Sequence, residues 1–152
     1  MSSRSLMITL TLAGALSATL AGGCARVVSG QPVSPASTDQ ALIAGYFEHS
    51  NAAAKEGTQA QQEFLKSTQH PDFPDVCGLG GLTILLDPAL GSLHSDSDWH
   101  PAKTDRTPRG RIYAVAVTLT VQRDKSTIGT QVGQMHVVVL DGTAYGFSPC
   151  PA

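Results

Sequence analysis

The run from Arg111 to Phe147 constrains this chain most, because it carries three strand-like segments separated by two tight turns. From Tyr113 onward the bulky residues Val115, Val117, Leu119 and Val121 alternate with Ala114, Ala116, Thr118 and Thr120, the period-two pattern of a strand with one buried face. Thr127 to Leu140 is a second run. It ends at Asp141-Gly142, a dipeptide that tolerates the positive φ angles of a type I′ hairpin turn, and Thr143 to Ser148 follows as a third run.

The turns set a register. With Asp141-Gly142 as a two-residue loop, Leu140 opposes Thr143, Val138 opposes Tyr145 and His136 opposes Phe147. With Asp124-Lys125 as the other loop, Val121 opposes Ile128, Val117 opposes Val132 and Tyr113 opposes His136. On this reading Tyr113, Val115, Val117, Leu119, Val121, Ile128, Val132, His136, Val138, Leu140, Tyr145 and Phe147 share one face, which needs a cover. Gly129 and Gly133 have no side chain to pack and point to a bulge or a sharp curvature in the middle strand.

Helices supply that cover. Ser37-Thr38-Asp39-Gln40 matches a capping box, and Leu42, Ile43, Tyr46 and Phe47 then fall on one side of a helix that stops near Gly57. Thr58-Gln59-Ala60-Gln61 repeats the pattern and opens a second helix carrying Phe64 and Leu65, which ends near His70-Pro71. Asp72 to Gly81 reads as loop, Leu82 to Leu86 as a short strand, and Leu90 to Gly110 as irregular chain with room for a short strand around Trp99. The basic residues Lys103, Arg106, Arg109 and Arg111 in and after that loop form either a surface patch facing lipid headgroups or glycan, or simply a solvated loop.

The N-terminus reads as an export signal. Arg4 supplies a short positive region, and Leu6 to Leu20 is an apolar run too short for a comfortable membrane span. The string Leu20-Ala21-Gly22-Gly23-Cys24 follows; small residues before a cysteine resemble the bacterial lipoprotein signal, although Ala21 stands where that pattern usually has Leu. Residues 1–23 are thus expected to be a signal peptide, Cys24 a lipidation site, 24–36 a lipidated tether and 37–152 a single α+β domain on the outer face of the cell membrane; the alternative is an ordinary secretory signal cut near Ala21 to Gly23, with Cys24 left as a thiol. Without residues 1–23, which carry only Arg4, nine basic residues stand against twelve acidic ones, and nothing in that balance suggests nucleic acid. In an exported chain Cys77 and Cys150 most simply pair, closing a loop worth about 4 kcal/mol by chain entropy. The alternative, a redox pair, lacks a Cys-x-x-Cys spacing and flanking basic residues.

A helix pair, a loop and then long antiparallel strands with a bulky face resemble the nuclear-transport-factor-2-like superfamily, a cystatin-like α+β fold to which ketosteroid-isomerase-like proteins belong. With the Ala-Gly-Gly-Cys string and Arg26-Val27-Val28-Ser29-Gly30, the whole is similar to small actinobacterial envelope lipoproteins. The resemblance implies a curved sheet wrapped around helices, often with a pocket between them. In the isomerase-like enzymes the inward face supplies a carboxylate base and an oxyanion site.

Candidate chemistry is sparse. In an extended chain His94, Asp96, Asp98 and His100 point the same way at about 6.6 Å intervals, so neighbours could chelate an ion but all four could not; the string reads as a solvated turn. Tyr113, His136, Tyr145 and Phe147 are the residues expected to border a pocket, with His136 either a core histidine or a base. The three long strands put no Asp or Glu on that face, so nothing is expected to orient the imidazole. Serine-nucleophile, phosphate-loop and zinc-site patterns are absent from the sequence, and no cofactor or metal is expected. The expectation is a non-catalytic binding or accessory module for an apolar small molecule or an envelope protein partner. The alternative is a small ketosteroid-isomerase-like enzyme using His136.

Overall fold

The structure, a computed structural model, describes residues 36–102 and 104–148. Two helices, α1 (Ser37–Glu56) and α2 (Thr58–Ser67), precede five strands: β1 (Thr83–Pro88), β2 (His94–Ser95), β3 (Arg111–Arg123), β4 (Ser126–Leu140) and β5 (Thr143–Tyr145). The strands form one curled antiparallel sheet in the order β1-β3-β4-β5, with β2 also against β3. The α+β class and the packing of helices on a curved sheet agree with expectation. Cys24 and Cys150 lie outside the described residues, so the lipidation and the pairing of Cys77 with Cys150 are not placed here.

Both hairpin turns form where the sequence puts them, with Arg123 opposite Ser126 and Leu140 opposite Thr143, and with positive φ at Asp124, Lys125, Asp141 and Gly142. Between the turns the ladder slips. Gln122 opposes Thr127 but Val121 opposes Gly129, so Ile128 is an extra residue. Because the side-chain period is two, that single insertion turns every later residue of β4 over. Tyr113 therefore opposes Val137 rather than His136, and Ala114 opposes His136. The expected shared face is corrected accordingly: Tyr113, Val115 and Val117 lie with Val137 and Val139, while His136, Val138 and Tyr145 lie on the opposite side of the sheet.

The helix-side face is a filled core. Ile43, Tyr46 and Phe47 of α1 pack with Leu86, Leu93, Tyr113, Val115, Val117, Val137, Val139 and Ala144. Each fully buried large apolar side chain there stabilises by about 1.5–3 kcal/mol relative to exposure. Packing rather than capping fixes α1, since its N-cap is Ala36 and no side chain caps it. Asp39, expected in a capping box, is instead buried and accepts from Arg111 Nε at 2.6 Å, Arg111 Nη2 at 2.7 Å and the Tyr113 hydroxyl at 2.6 Å. Hydrogen bonds from Arg111 and then Tyr113 hold its carboxyl below the usual 3.8, against the opposing effect of burial. A depressed folded value means that the stability from Asp39 is complete above the unfolded value near 3.8 and is lost as pH falls through the folded one. Urea unfolding from pH 6 down to pH 2 is expected to show a decline that Asp39→Asn flattens; equal slopes in both proteins would contradict this.

Two amides close the free edge of β1. Gln61 of α2 donates to Ile84 O at 2.6 Å and accepts from Ile84 N at 2.9 Å; Asn51 of α1 treats Leu86 in the same way, at 2.7 Å in both directions. Gln61 was expected to cap its own helix, but α2 has Gly57 as N-cap and no side-chain cap. Beyond Pro88 the edge makes a 3₁₀ turn at Leu90–Ser92 before β2, so Pro88 opposes Val117 while His94 opposes Ala114. The short strand of this region is thus His94–Ser95, not one around Trp99. Past β5 the chain makes a parallel bridge to Gln69, with Gly146 N donating to Thr68 O and His70 N donating to Gly146 O.

Candidate functional site: an aromatic cleft on the outer face

The side of the sheet turned away from the helices is covered at one end by the loops after α2 and after β2. His70, just past α2, is fully buried. Its Nε2–H donates to Arg109 O at 2.9 Å, Nδ1 accepts from Asp72 N at 3.2 Å, and its ring stacks on Phe147 with centroids 5.7 Å apart. With both nitrogens used, this ring is a structural pin. No sequence pattern marks it. A histidine beside a helix end carries no local sign that a carbonyl 39 residues onward will meet it.

His136 projects from β4 onto this outer face, and the loop after β2 folds over it. Asp96 N donates to Ile112 O at 3.0 Å, which anchors the loop, and Asp96 Oδ2 lies 2.8 Å from His136 Nε2. The expectation that no carboxylate would reach the imidazole is therefore overturned. The acid comes from a loop, where strand alternation has no bearing. Trp99 stacks on the imidazole with centroids 4.1 Å apart and planes 13° from parallel, and Phe147 meets Trp99 edge-on at 4.8 Å.

Burial lowers the His136 pKa below 6.5; the Asp96 hydrogen bond opposes that shift and His94 adds to it. The folded state thus disfavours the proton, and the contribution of the neutral ring is complete above pH 6.5 and falls away below. Proton NMR titration is expected to place the His136 midpoint under 6.5 and to move it upward in Trp99→Ala, which uncovers the ring. A midpoint above 6.5 in the wild type would contradict this.

Beside this stack lies a cleft of about 700 Å³ whose walls include Phe73, Trp99, Phe147, Pro101 and Arg106. The Arg106 guanidinium sits 4.7 Å from the Phe73 ring centroid and donates to the Asp72 carbonyl. Asp72 is engaged by Arg109, with Nη2 to Oδ1 at 2.7 Å and Nε to Oδ1 at 3.0 Å. The Arg109 side chain, and then its backbone N–H, hold the Asp72 carboxyl at about 2. His136 is not part of the cleft wall, because Trp99 lies against it and presents itself to the cleft instead.

The residues expected to border a pocket separate on this basis. Phe147 lines the cleft, His136 lies behind Trp99, and Tyr145 meets His70 at 5.9 Å. Tyr113 belongs to the core on the other side, so the expected row of Tyr113, His136 and Phe147 between helices and sheet does not exist. The basic residues of the loop are not a free patch either: Arg106 lies on Phe73, Arg109 on Asp72 and Arg111 on Asp39, while Lys103 is outside the described residues. The His94 to His100 string also disperses, with His94 Nδ1 2.9 Å from Ser92 O and His100 Nδ1 3.4 Å from Pro101 O. Among the described residues no cluster of three or more His, Cys, Asp or Glu is placed to hold a metal ion, and no helix is long and apolar enough to cross a membrane. No protein-family model, no curated protein and no solved structure matches the chain.

Proposed function

We propose that this chain is an exported, lipid-anchored envelope protein whose α+β domain, of nuclear-transport-factor-2-like type, serves as a non-catalytic binding module. The ligand seat is the outer-face cleft, and the ligand is an apolar, ring-bearing molecule with an anionic end. The observation that carries this reading is the wall of Phe73, Trp99 and Phe147 with the Arg106 cation stacked on it. Such a wall offers rings for offset or edge contact and one guanidinium for a charged group. Asp72 is already neutralised by Arg109, so the charges left on the cleft wall are Arg106 and Asp75; Arg106, lying on the Phe73 ring, is the one beside the aromatic wall and is the proposed partner of the anionic end.

The His136–Asp96 pair is the observation that favours a catalytic alternative, since a base oriented by a carboxylate is a common arrangement. Trp99 stands between that pair and the cleft, which supports binding over turnover. Anilinonaphthalene sulfonate, an aromatic anion, serves as probe. Trp99 is the only tryptophan, so energy transfer from it reports occupancy of the cleft. Saturable transfer is expected, weakened about tenfold in Arg106→Gln, which corresponds to about 1.4 kcal/mol. Transfer insensitive to Arg106→Gln and Phe147→Ala would remove the cleft as the seat.

The anchoring half of the reading rests on the Ala21-Gly22-Gly23-Cys24 string. Wild type is expected to partition into a detergent phase and Cys24→Ala into the aqueous one; equal partitioning would remove the lipid anchor. The proposed Cys77–Cys150 bond is supported by how the chain near each cysteine is held: Gln62 of α2 donates from Nε2 to Cys77 O at 3.1 Å, and Gln69, two residues past α2, accepts through Oε1 from Ser148 N at 2.8 Å.

A further inference from the structure

The two edges of the sheet are treated differently. On β1 the outward backbone groups are taken up by Gln61 and Asn51. On the other side, among the described residues, β5 pairs only with Val138–Leu140, and β4 runs on from Ser126 to Val137 beyond it. Ile128 is 54% and Val132 74% exposed there. Exposed edges of this kind are ordinarily blunted by charge, proline or a bulge. Between the bulge at Ile128 and His136, two residues before the pairing of Val138 with the end of β5, this edge has none of them, for Gly129 to Met135 contains no charged residue and no proline.

The direction of the free groups follows from the turn. Leu140 and Thr143 flank a two-residue loop, so they exchange both backbone hydrogen bonds and Leu140 points its N–H and C=O at β5. Counting back by twos, Gln134, Val132 and Thr130 point theirs the same way, past the end of β5.

We propose that β4 pairs antiparallel with β4 of a second copy of this chain, about a twofold axis at Val132, joining two sheets into one. The inference rests on the fold and is independent of the ligand reading. In that register Val132 meets Val132, Thr130 meets Gln134 and Gln131 meets Gly133. The most exposed large apolar residue is thereby covered by its own equivalent, a hydroxyl faces an amide, and each Gln131 lies across from a residue without a side chain. A stretch with no charge meets its own copy without repulsion, whereas a charged partner strand would find no counter-charge along this edge. The contact is small, so a weak dimer with Kd on the order of 10 μM is expected, favoured where anchoring concentrates the chain on a surface.

Sedimentation velocity of the full chain in mild detergent tests this, using wild type, Val132→Lys, Thr130→Lys and Ala52→Lys. Ala52 is an exposed residue of helix α1, off the sheet, and its replacement adds the same charge. Wild type and Ala52→Lys are expected to dimerise alike, and the two β4 variants to weaken association at least about tenfold. Val132 and Thr130 are exposed, so both variants are expected to retain the wild-type circular dichroism spectrum. Monomers at every concentration up to about 100 μM, or a dimer indifferent to both β4 substitutions, would overturn the proposal.

Discussion

Replacing Gln61 with methionine is expected to lower the free energy of unfolding by about 2 to 4 kcal/mol, although methionine matches glutamine in length and is the more apolar side chain. Gln61 has no exposed surface, and its amide is the partner of both backbone groups of Ile84, at 2.6 and 2.9 Å. Methionine can neither donate to the carbonyl nor accept from the N–H, and an unsatisfied buried group costs about 1–3 kcal/mol. The glutamate variant is a sharper probe. It keeps an acceptor for Ile84 N but loses the donor to Ile84 O and places a carboxylate in a site without a cationic partner among its hydrogen bonds. Urea unfolding of Gln61→Met checks the figure. A loss under about 0.5 kcal/mol would mean that water reaches the β1 edge and that the amides are incidental.

Gly146→Ala is the second large effect, expected at about 3 kcal/mol or more. The φ angle at Gly146 is not in the left-handed region, so the requirement is for space rather than for backbone freedom. A methyl group there would overlap the Tyr46 hydroxyl and lie 2.6 Å from its Cζ. Tyr46 cannot easily yield. It is 5% exposed, its ring meets Phe47 and Phe64 at 5.5 and 5.4 Å, and burial pushes its hydroxyl up to about 12. The backbone cannot yield either, since Gly146 bonds Thr68 and His70 on both sides of its peptide. The combination Gly146→Ala with Tyr46→Leu is expected to cost less than the sum of the two single losses, because the smaller residue vacates the methyl position. Additive losses would show that the two sites do not touch.

The parts of the fold that were legible are those where chemistry repeats. Alternation from Tyr113 to Val121, the Asp141-Gly142 turn and the Ile43, Tyr46 and Phe47 stripe each encode an element locally. The bulge at Ile128 was not legible as a register change, even though Gly129 hinted at one. Thr127, Thr130, Gln131 and Gln134 put polar groups on both faces of β4, and a strand polar on both sides does not say which face is buried. Each hairpin register was right at its own turn and the link between them was not. The cleft was hidden for a different reason. Its parts come from the loop after α2, the loop after β2 and the chain after β5, and contacts such as Asp96 with His136 span 40 residues without any shared pattern. Phe147 was singled out in the sequence, but for the wrong side of the sheet.

The functional surface proposed for this chain is the outer face, under the loop bearing Trp99, and not the space between helices and sheet. The most direct measurement is a two-dimensional NMR titration of the full chain with anilinonaphthalene sulfonate. Saturable shifts are expected at the Trp99 indole and at the Phe73 and Phe147 rings, with the methyls of Ile43, Val115 and Val137 unmoved. Saturable shifts at those core methyls, with Trp99 unchanged, would contradict the account.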